Sequence, residues 1–165
     1  MLKKQIQQRI NNINESLNQL KKRALYYLSK REYTRLELSN KLSAYANKLE
    51  IDDNNLDNLL DDLEKNNWLS DQRFLEQFIH EKKKKFGPKK IAYELQIRGI
   101  DTSIIEKSLI KLKEEGYSLI KKIWEKKFNT VPKTKEDKLK QIRFLQSRGF
   151  DLSLIHQIIS GKEKN

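Results

Sequence analysis

The sequence contains no cysteine, which excludes disulfide bonds and metal sites built from thiolates. No apolar run approaches the roughly 18 residues that a membrane-spanning helix needs, and the residues after Met1 lack the apolar centre of a signal peptide. Hydrophobic residues make up 36% of the chain, below the roughly 45–50% of an ordinary globular domain. We therefore expect a soluble cytoplasmic protein built from thin modules rather than around one deep core.

Strand patterns and catalytic motifs are absent as well. No alternation of Val, Ile and Thr is long enough for a strand, and the single glycine of FGPKK cannot form a phosphate-binding loop. Ser118 and Lys121 have the spacing of a catalytic Ser-x-x-Lys pair, but Ser118 is also a good helix cap. His80 and His156 stand alone in sequence. We therefore predict no catalytic residue, no metal ion and no cofactor.

The net charge of +12 is unevenly distributed. Residues 1–48 hold 11 basic and 3 acidic side chains, residues 49–70 hold 1 and 7, and residues 71–165 hold 23 and 13. Such basic regions attract nucleic acid or an acidic protein surface. For the acidic segment we expect a solvated face; a divalent ion at its aspartates, or a contact with a basic neighbour such as a second copy, is the alternative.

Helical periodicity and capping residues predict nine helices. A stripe of apolar residues at steps of three and four runs from Ile6 to Ala24, and Thr34 with Glu37 has the spacing of a capping box. Glycines are expected to end helices and aspartates to begin them. The predicted segments run to about Leu28, over 35–48 and 52–66, from Ser70 or Asp71 to Gly87, from Pro88 to Gly99, from Asp101 to Gly116, from Ser118 to the break at NTVPKT, from there to Arg148, and from Asp151 onwards.

An internal repeat organises these helices. LQIRGIDTSIIEKSL at 95–109 and LQSRGFDLSLIHQII at 145–159 share seven identities at a fixed offset of 50 residues. A weaker copy begins at Ile51. A period of this length indicates modules of about three helices, each stacked on the next because it cannot bury its own apolar face alone.

Several motifs resemble those of the RecX family, whose members modulate the recombinase RecA. Their order matches over about residues 20–160. They are the Ala-Leu opening from Ala24 to Arg31, the Glu-Leu helix from Glu37 to Leu42, the Leu69-Asp71-Phe74 step, the helix from Gly87 to Ile100, and the Arg-Gly-Phe of residues 148–150. Thr34 replaces the usual serine, and the N-terminal segment is shorter than in many members.

The resemblance implies an all-α fold of three tandem three-helix repeats that form an elongated, curved array. We expect an N-terminal extension over 1–22 and repeats over 23–70, 71–116 and 117–165. It also implies a regulatory, non-enzymatic protein of DNA repair that binds RecA and its filament, with single- and double-stranded DNA as further partners, and most often inhibits the recombinase, ATPase and coprotease activities. No membrane and no small-molecule substrate is expected. The alternative is a basic helical DNA-binding protein without a specific protein partner.

Twelve basic residues are the candidate contacts with DNA or RecA. Helix C-termini favour cations, so a last-turn position would by itself explain the four lysines after Glu81. Lys89 and Lys90 occupy a first helical turn, where positive charge is disfavoured, and free amides beside lysines form an anion site. The candidates are Lys82, Lys83, Lys84, Lys85, Lys89, Lys90, Arg98, Lys121, Lys122, Lys126, Lys127 and Arg148.

Aromatic residues offer a second kind of contact, because they can stack on unpaired bases. Their spacing instead places most of them on the apolar helix faces. We therefore expect core positions for Trp68, Phe74, Phe78, Tyr93, Trp124 and Phe150, and leave Tyr26, Tyr33, Tyr45 and Tyr117 open.

Overall fold

The computed structural model describes residues 1–161, so the last four residues of the predicted third repeat lie outside the described part. Within this range the chain forms nine helices and no strand, as predicted. They are α1 Leu2–Leu28, α2 Arg35–Lys48, α3 Asp53–Lys65, α4 Asp71–Lys82, α5 Pro88–Gln96, α6 Thr102–Glu114, α7 Gly116–Lys127, α8 Lys135–Ser147 and α9 Leu152–Ile159. The chain divides into two compact units, Met1–Phe74 and Leu75–Asn165. The predicted repeat boundaries stay a prediction.

In the first unit α1, α2 and α3 pack on one another. Their apolar faces meet in a core that includes the fully buried Leu20, Leu38, Leu42 and Leu60. The predicted capping box is confirmed: the Glu37 amide donates to Thr34 Oγ1 over 3.1 Å, and the Thr34 amide donates to Glu37 Oε2 over 3.4 Å. These bonds satisfy amides that the first turn of α2 leaves without helical partners.

The first half of α1 is helical but not buried. The predicted stripe reaches the core at the half-buried Leu17 and at the buried Leu20 and Ala24, whereas Ile6, Ile10 and Ile13 are 49%, 45% and 52% exposed. Periodicity thus predicted the helix correctly, but it shows only which face of a helix is apolar and not whether a neighbour covers that face.

In the second unit α5 packs on α6, and both α7 and α8 pack on α9. Ile120, Leu145 and Ile155 are fully buried in the core formed by α7, α8 and α9. A buried polar link ties this core to the loop before α8. Trp124 Nε1 donates to Gln141 Oε1 over 2.8 Å, and Gln141 Nε2 donates to the Thr130 carbonyl over 2.9 Å.

The repeat of the sequence is a repeat of structure. Leu95 and its equivalent Leu145 are both 0% exposed. Gly99 and Gly149 both follow a helix with positive φ, +81° and +88°, as expected for residues that end helices in the left-handed conformation.

Two glycines and one aspartate differ from their predicted roles. Gly87 does not end α4, which stops at Lys82; it is the N-cap residue of α5 with an ordinary φ of −84°. Gly116 is the first residue of α7 and is buried. Asp151 precedes α9 without a side-chain capping bond.

Candidate functional site

The lysine-rich loop between α4 and α5 lies mostly outside helical structure. Lys82 is the last residue of α4, and the amides of Lys85 and Phe86 each donate to its carbonyl over 2.9 Å in a turn. The Lys83 amide still donates to the Ile79 carbonyl over 3.0 Å at the end of α4, so the prediction that all four lysines occupy a last helical turn is wrong for Lys84 and Lys85. A helix dipole acts only near the last turn, so it does not account for the charges of these two.

A surface cavity brings this loop together with α7. It has a volume of about 350 Å³ and contains Lys83 and Lys84 from the loop and Lys122 from α7, beside Ser118 and Glu115. Three of the predicted cations, separated by almost forty residues in sequence, thus share one concave surface. With Glu115 in the same cavity, the lining side chains carry three positive charges and one negative charge, so the cavity favours an anion.

The Arg148 guanidinium lies within cation–π distance of two aromatic rings. Its guanidinium carbon is 5.2 Å from the Phe86 ring centroid and 5.0 Å from that of Phe144. The same rings have lysines nearby: Lys82 Nζ is 5.5 Å from Phe86, and Lys127 Nζ is 5.9 Å from Phe144. Among residues 1–161 no carboxylate pairs with Arg148. Contact with aromatic rings does not use the guanidinium N–H donors, which are the groups that bind a carboxylate or a phosphate.

We call six residues of the second unit the basic cluster: three line the cavity, and the other three lie beside the Phe86 or Phe144 ring. They are Lys82, Lys83, Lys84, Lys122, Lys127 and Arg148. Lys82 is also bound internally, since its Nζ is 3.3 Å from Glu94 Oε2.

The start of α5 is occupied rather than open. The Gly87 amide donates to the Arg148 carbonyl over 2.7 Å, and the Lys89 amide donates to the Gly149 carbonyl over 3.2 Å. Lys89 Nζ is 2.5 Å from Asp151 Oδ1. The predicted free amides are therefore wrong at Gly87 and Lys89, whose amides the Arg148 and Gly149 carbonyls satisfy, and the Lys89 side chain has a structural partner.

Arg98 and Arg148 occupy equivalent repeat positions but have different surroundings. Arg98 Nη1 donates to the Glu94 carbonyl over 2.7 Å and lies 3.7 Å from Glu94 Oε2, so it complements the end of α5. Four residues before Arg148 the chain has Phe144 in place of a carboxylate. Of the two arginines only Arg148 lacks an ion pair within the described range.

The other predicted cations are not connected to the basic cluster by these contacts. Lys85 and Lys126 are exposed, as is Lys89; Lys90 and Lys121 are half-buried, and Lys121 has interactions of its own.

Sequence reasoning missed the rings beside Arg148 and misplaced two other aromatic residues. Phe74, Phe78, Trp124 and Phe150 are buried as predicted, but Trp68 is 45% and Tyr93 58% exposed. Of the four tyrosines left open, Tyr33 is buried, Tyr26 is exposed, and Tyr45 and Tyr117 are half-buried. The sequence offered a signal for both rings. Phe86 directly precedes Gly87, and Phe144 lies one helical turn before Arg148.

The acidic segment of the first unit pairs with that unit's own cations. Arg35 Nη1 lies 2.8 Å from both Asp61 Oδ1 and Glu64 Oε2. Lys21 Nζ lies 2.7 Å from Asp62 Oδ2, and this hydrogen bond lowers the pKa of Asp62. Among residues 1–161 no three His, Cys, Asp or Glu side chains are grouped as metal ligands. Within that range no helix has the length and apolarity to cross a membrane.

Comparisons with known proteins identify the chain's relatives. Residues 70–109 match the model of the second three-helix domain of RecX, and residues 113–159 match that of the third. The regulatory protein RecX of Chromobacterium violaceum is 38% identical over 142 residues, covering 86% of this chain and 90% of that protein. The regulatory protein RecX of Ralstonia pickettii is 35% identical over 145 residues, covering 88% and 89%.

Solved structures agree with these relatives. The crystal structure of RecX from Lactobacillus salivarius superposes with a TM-score of 0.70 at 26% identity, covering 90% of this chain and 97% of that one. A second crystal structure of a regulatory protein RecX has a TM-score of 0.71 at 20% identity and supports the fold alone.

Proposed function

This chain belongs to the RecX family of regulatory proteins, and we propose that it regulates RecA by binding the RecA–DNA filament. The basic cluster of the second unit contacts the anionic component of that filament. In this proposal the chain inhibits the recombinase, ATPase and coprotease activities. It performs no catalysis itself, so regulation follows from binding alone, in the cytoplasm where the filament forms.

The observation that supports this proposal is that no carboxylate among residues 1–161 pairs with Arg148. A guanidinium in contact with two rings has already given up part of its side-chain freedom, so less further ordering opposes an anionic contact. Its planar fork matches two oxygens of a phosphate or carboxylate. The cavity lysines Lys83, Lys84 and Lys122 provide further positive charge in the same unit.

DNA phosphate is the anion that we assign to this surface. Contacts with phosphates depend steeply on salt, because each neutralised phosphate releases condensed counterions. An acidic patch of RecA would produce a weaker salt dependence. A plain DNA-binding protein without a specific partner is the second candidate function, since the cations of the basic cluster would also bind bare DNA.

The test compares two variants with equal loss of charge. The first variant, which we call the cavity variant, replaces Lys83, Lys84 and Lys122 by Gln. The control replaces Lys107, Lys111 and Lys113 by Gln, three exposed lysines of α6 outside the cavity and the ring contacts. RecA's DNA-dependent ATPase is measured at protein concentrations too low to coat the DNA.

We expect the wild type and the control variant to lower the ATPase rate and the cavity variant to lose most of this effect. The log–log salt slope of DNA binding should fall by roughly one to three units in the cavity variant, about one for each phosphate that is no longer neutralised. Equal behaviour of the two variants would contradict the assignment of the site. No effect of the wild type on RecA, with DNA binding retained, would favour the second candidate.

A further inference from the structure

Tyr93 is an exposed aromatic residue on a helix that is otherwise well packed. The opposite side of α5 holds the buried Ile91 and Leu95, 1% and 0% exposed. Tyr93 is 58% exposed, and Ile97, one turn later on the same face, is 59% exposed. A large apolar ring left in water is unfavourable in the free protein. Tyr93 and Ile97 do not belong to the buried face of α5, so packing within the protein does not explain them.

The surroundings of Tyr93 are basic. Lys90 Nζ lies 5.8 Å from the ring centroid. By helical periodicity Lys90 and Lys89, which pairs with Asp151, lie on the same face of α5 as Tyr93. The backbone of Lys90 is in close contact with Gly149. Gly149 directly follows Arg148, a residue of the basic cluster, in the sequence. No hydrogen bond to the Tyr93 hydroxyl is found within the described range.

We propose that Tyr93 stacks on an unpaired base and makes this surface prefer single-stranded nucleic acid. The inference rests on the proposed function, because it adds a base contact to the phosphate contacts proposed for the second unit. Bases stack on aromatic side chains without regard to sequence, since every base presents a π-face. In a duplex both faces of each internal base are already covered by neighbouring bases, so an exposed tyrosine gains nothing there.

An apolar patch of Tyr93 and Ile97 would also suit a protein partner. The charge of the neighbourhood favours nucleic acid, because an aromatic ring flanked by cations is the combination that binds a base and its phosphates together. A contact between Tyr93 and a protein surface would therefore overturn the inference.

The experiment uses the full-length protein, with Tyr93→Ala, Tyr93→Phe and the cavity variant compared by fluorescence anisotropy. The probes are a labelled oligo-dT strand and a labelled duplex of equal length, each titrated at several salt concentrations. Because Tyr93 is exposed, Tyr93→Ala should keep the wild-type melting temperature, which is checked first.

Tyr93→Ala should weaken binding to the single strand by about fivefold or more, because one base no longer has a ring to stack on. Duplex binding and the salt slope should stay unchanged, and Tyr93→Phe should restore single-strand binding. The cavity variant should weaken both probes and lower the salt slope.

Several outcomes would overturn the inference while leaving the proposed function intact. One is unchanged single-strand binding by Tyr93→Ala when the cavity variant binds both probes more weakly. Another is an equal weakening of duplex and single-strand binding. A third is wild-type binding to both bare DNAs with weakened binding to the RecA–DNA filament, which would assign Tyr93 to a protein contact. If the cavity variant also bound DNA like the wild type, the result would contradict both the Tyr93 inference and the phosphate contact of the proposed function.

Discussion

The close backbone contact between the segments around Gly87 and Gly149 allows us to predict how a substitution there changes the free energy of unfolding. A Cβ atom at Gly149 would lie 2.4 Å from the Lys90 amide nitrogen and 2.5 Å from the Lys90 Cβ. A Cβ atom at Gly87 would lie 2.6 Å from the Gly149 carbonyl oxygen. Backbone atoms cannot move aside as a flexible side-chain end can, so either substitution must separate the two segments.

Replacing Gly149 by Ala combines two costs. The left-handed backbone, φ +88°, costs an alanine roughly 1–2 kcal/mol. Overpacking against Lys90 adds about 1–3 kcal/mol. Lower entropy of the unfolded chain returns roughly 0.4–1 kcal/mol. We therefore expect a decrease of about 2–4 kcal/mol in the free energy of unfolding of the second unit.

Two other glycines separate these costs. Gly87→Ala has an ordinary φ of −84° and tests overpacking alone. Gly161→Ala has a φ of +68°, and its Cβ would meet only Val131 Cγ2 at 3.4 Å, an ordinary contact, so it tests backbone strain alone. Gly149→Ala should be more destabilising than either.

The assay is urea unfolding followed by tryptophan fluorescence. The chain has two tryptophans, one in each unit. A Trp68→Phe background leaves Trp124, buried in the core of the second unit, as the only reporter. Trp68 is 45% exposed, so its replacement costs little. Gly149→Ala within about half a kcal/mol of this background would refute the close contact between the two segments.

Three further predictions concern the second unit. Leu145→Ala should cost about 2–5 kcal/mol because a fully buried side chain leaves a cavity; a decrease under about 1 kcal/mol in the same urea assay would contradict its burial. Gln141→Leu should cost about 1–3 kcal/mol by leaving the Trp124 indole N–H unsatisfied, and it should shift Trp124 emission, whereas an unchanged spectrum would argue against the bond. Lys89→Gln should change stability by less than about 1 kcal/mol, since its ion pair with Asp151 is exposed; a larger drop in stability would mean that the pair is shielded from solvent.

The fold could be predicted from the sequence wherever the signal was local. The capping box of Thr34, the caps Asp52 and Asp101, and Pro88 at the start of α5 all act within one helical turn, and each was predicted correctly. At Asp101 the amide and hydroxyl of Ser103 donate to the carboxylate and lower its pKa.

Predictions failed where a distant segment decides the role of a residue. Gly87 was expected to supply a left-handed helix end, but it is needed because Gly149, 62 residues later, approaches its backbone. Lys89 was expected to contact an external anion, but the Asp151 carboxylate, two residues after Gly149, pairs with it. Neither contact leaves a local signal in the sequence, since both depend on how the helices pack.

The repeat did contain information about Arg148. At an offset of 50 residues Glu94 corresponds to Phe144, and each lies four residues before an arginine, on the same helix face. Glu94 pairs with Arg98, whereas the Phe144 ring centroid lies 5.0 Å from the Arg148 guanidinium carbon. This difference between the copies explains why, among residues 1–161, Arg98 has an ion pair with a carboxylate and Arg148 has none.

Phe144→Glu should therefore give Arg148 the internal partner that Arg98 already has. If Arg148 binds phosphate, this variant should bind DNA more weakly and its salt slope should fall by about one unit, because one phosphate fewer is neutralised. Phe144→Gln is the matched control, because it removes the ring and its packing but adds no charge. DNA binding by the Glu variant equal to that of the Gln variant, with both folded by circular dichroism, would show that pairing Arg148 has no effect and that this arginine does not contact phosphate.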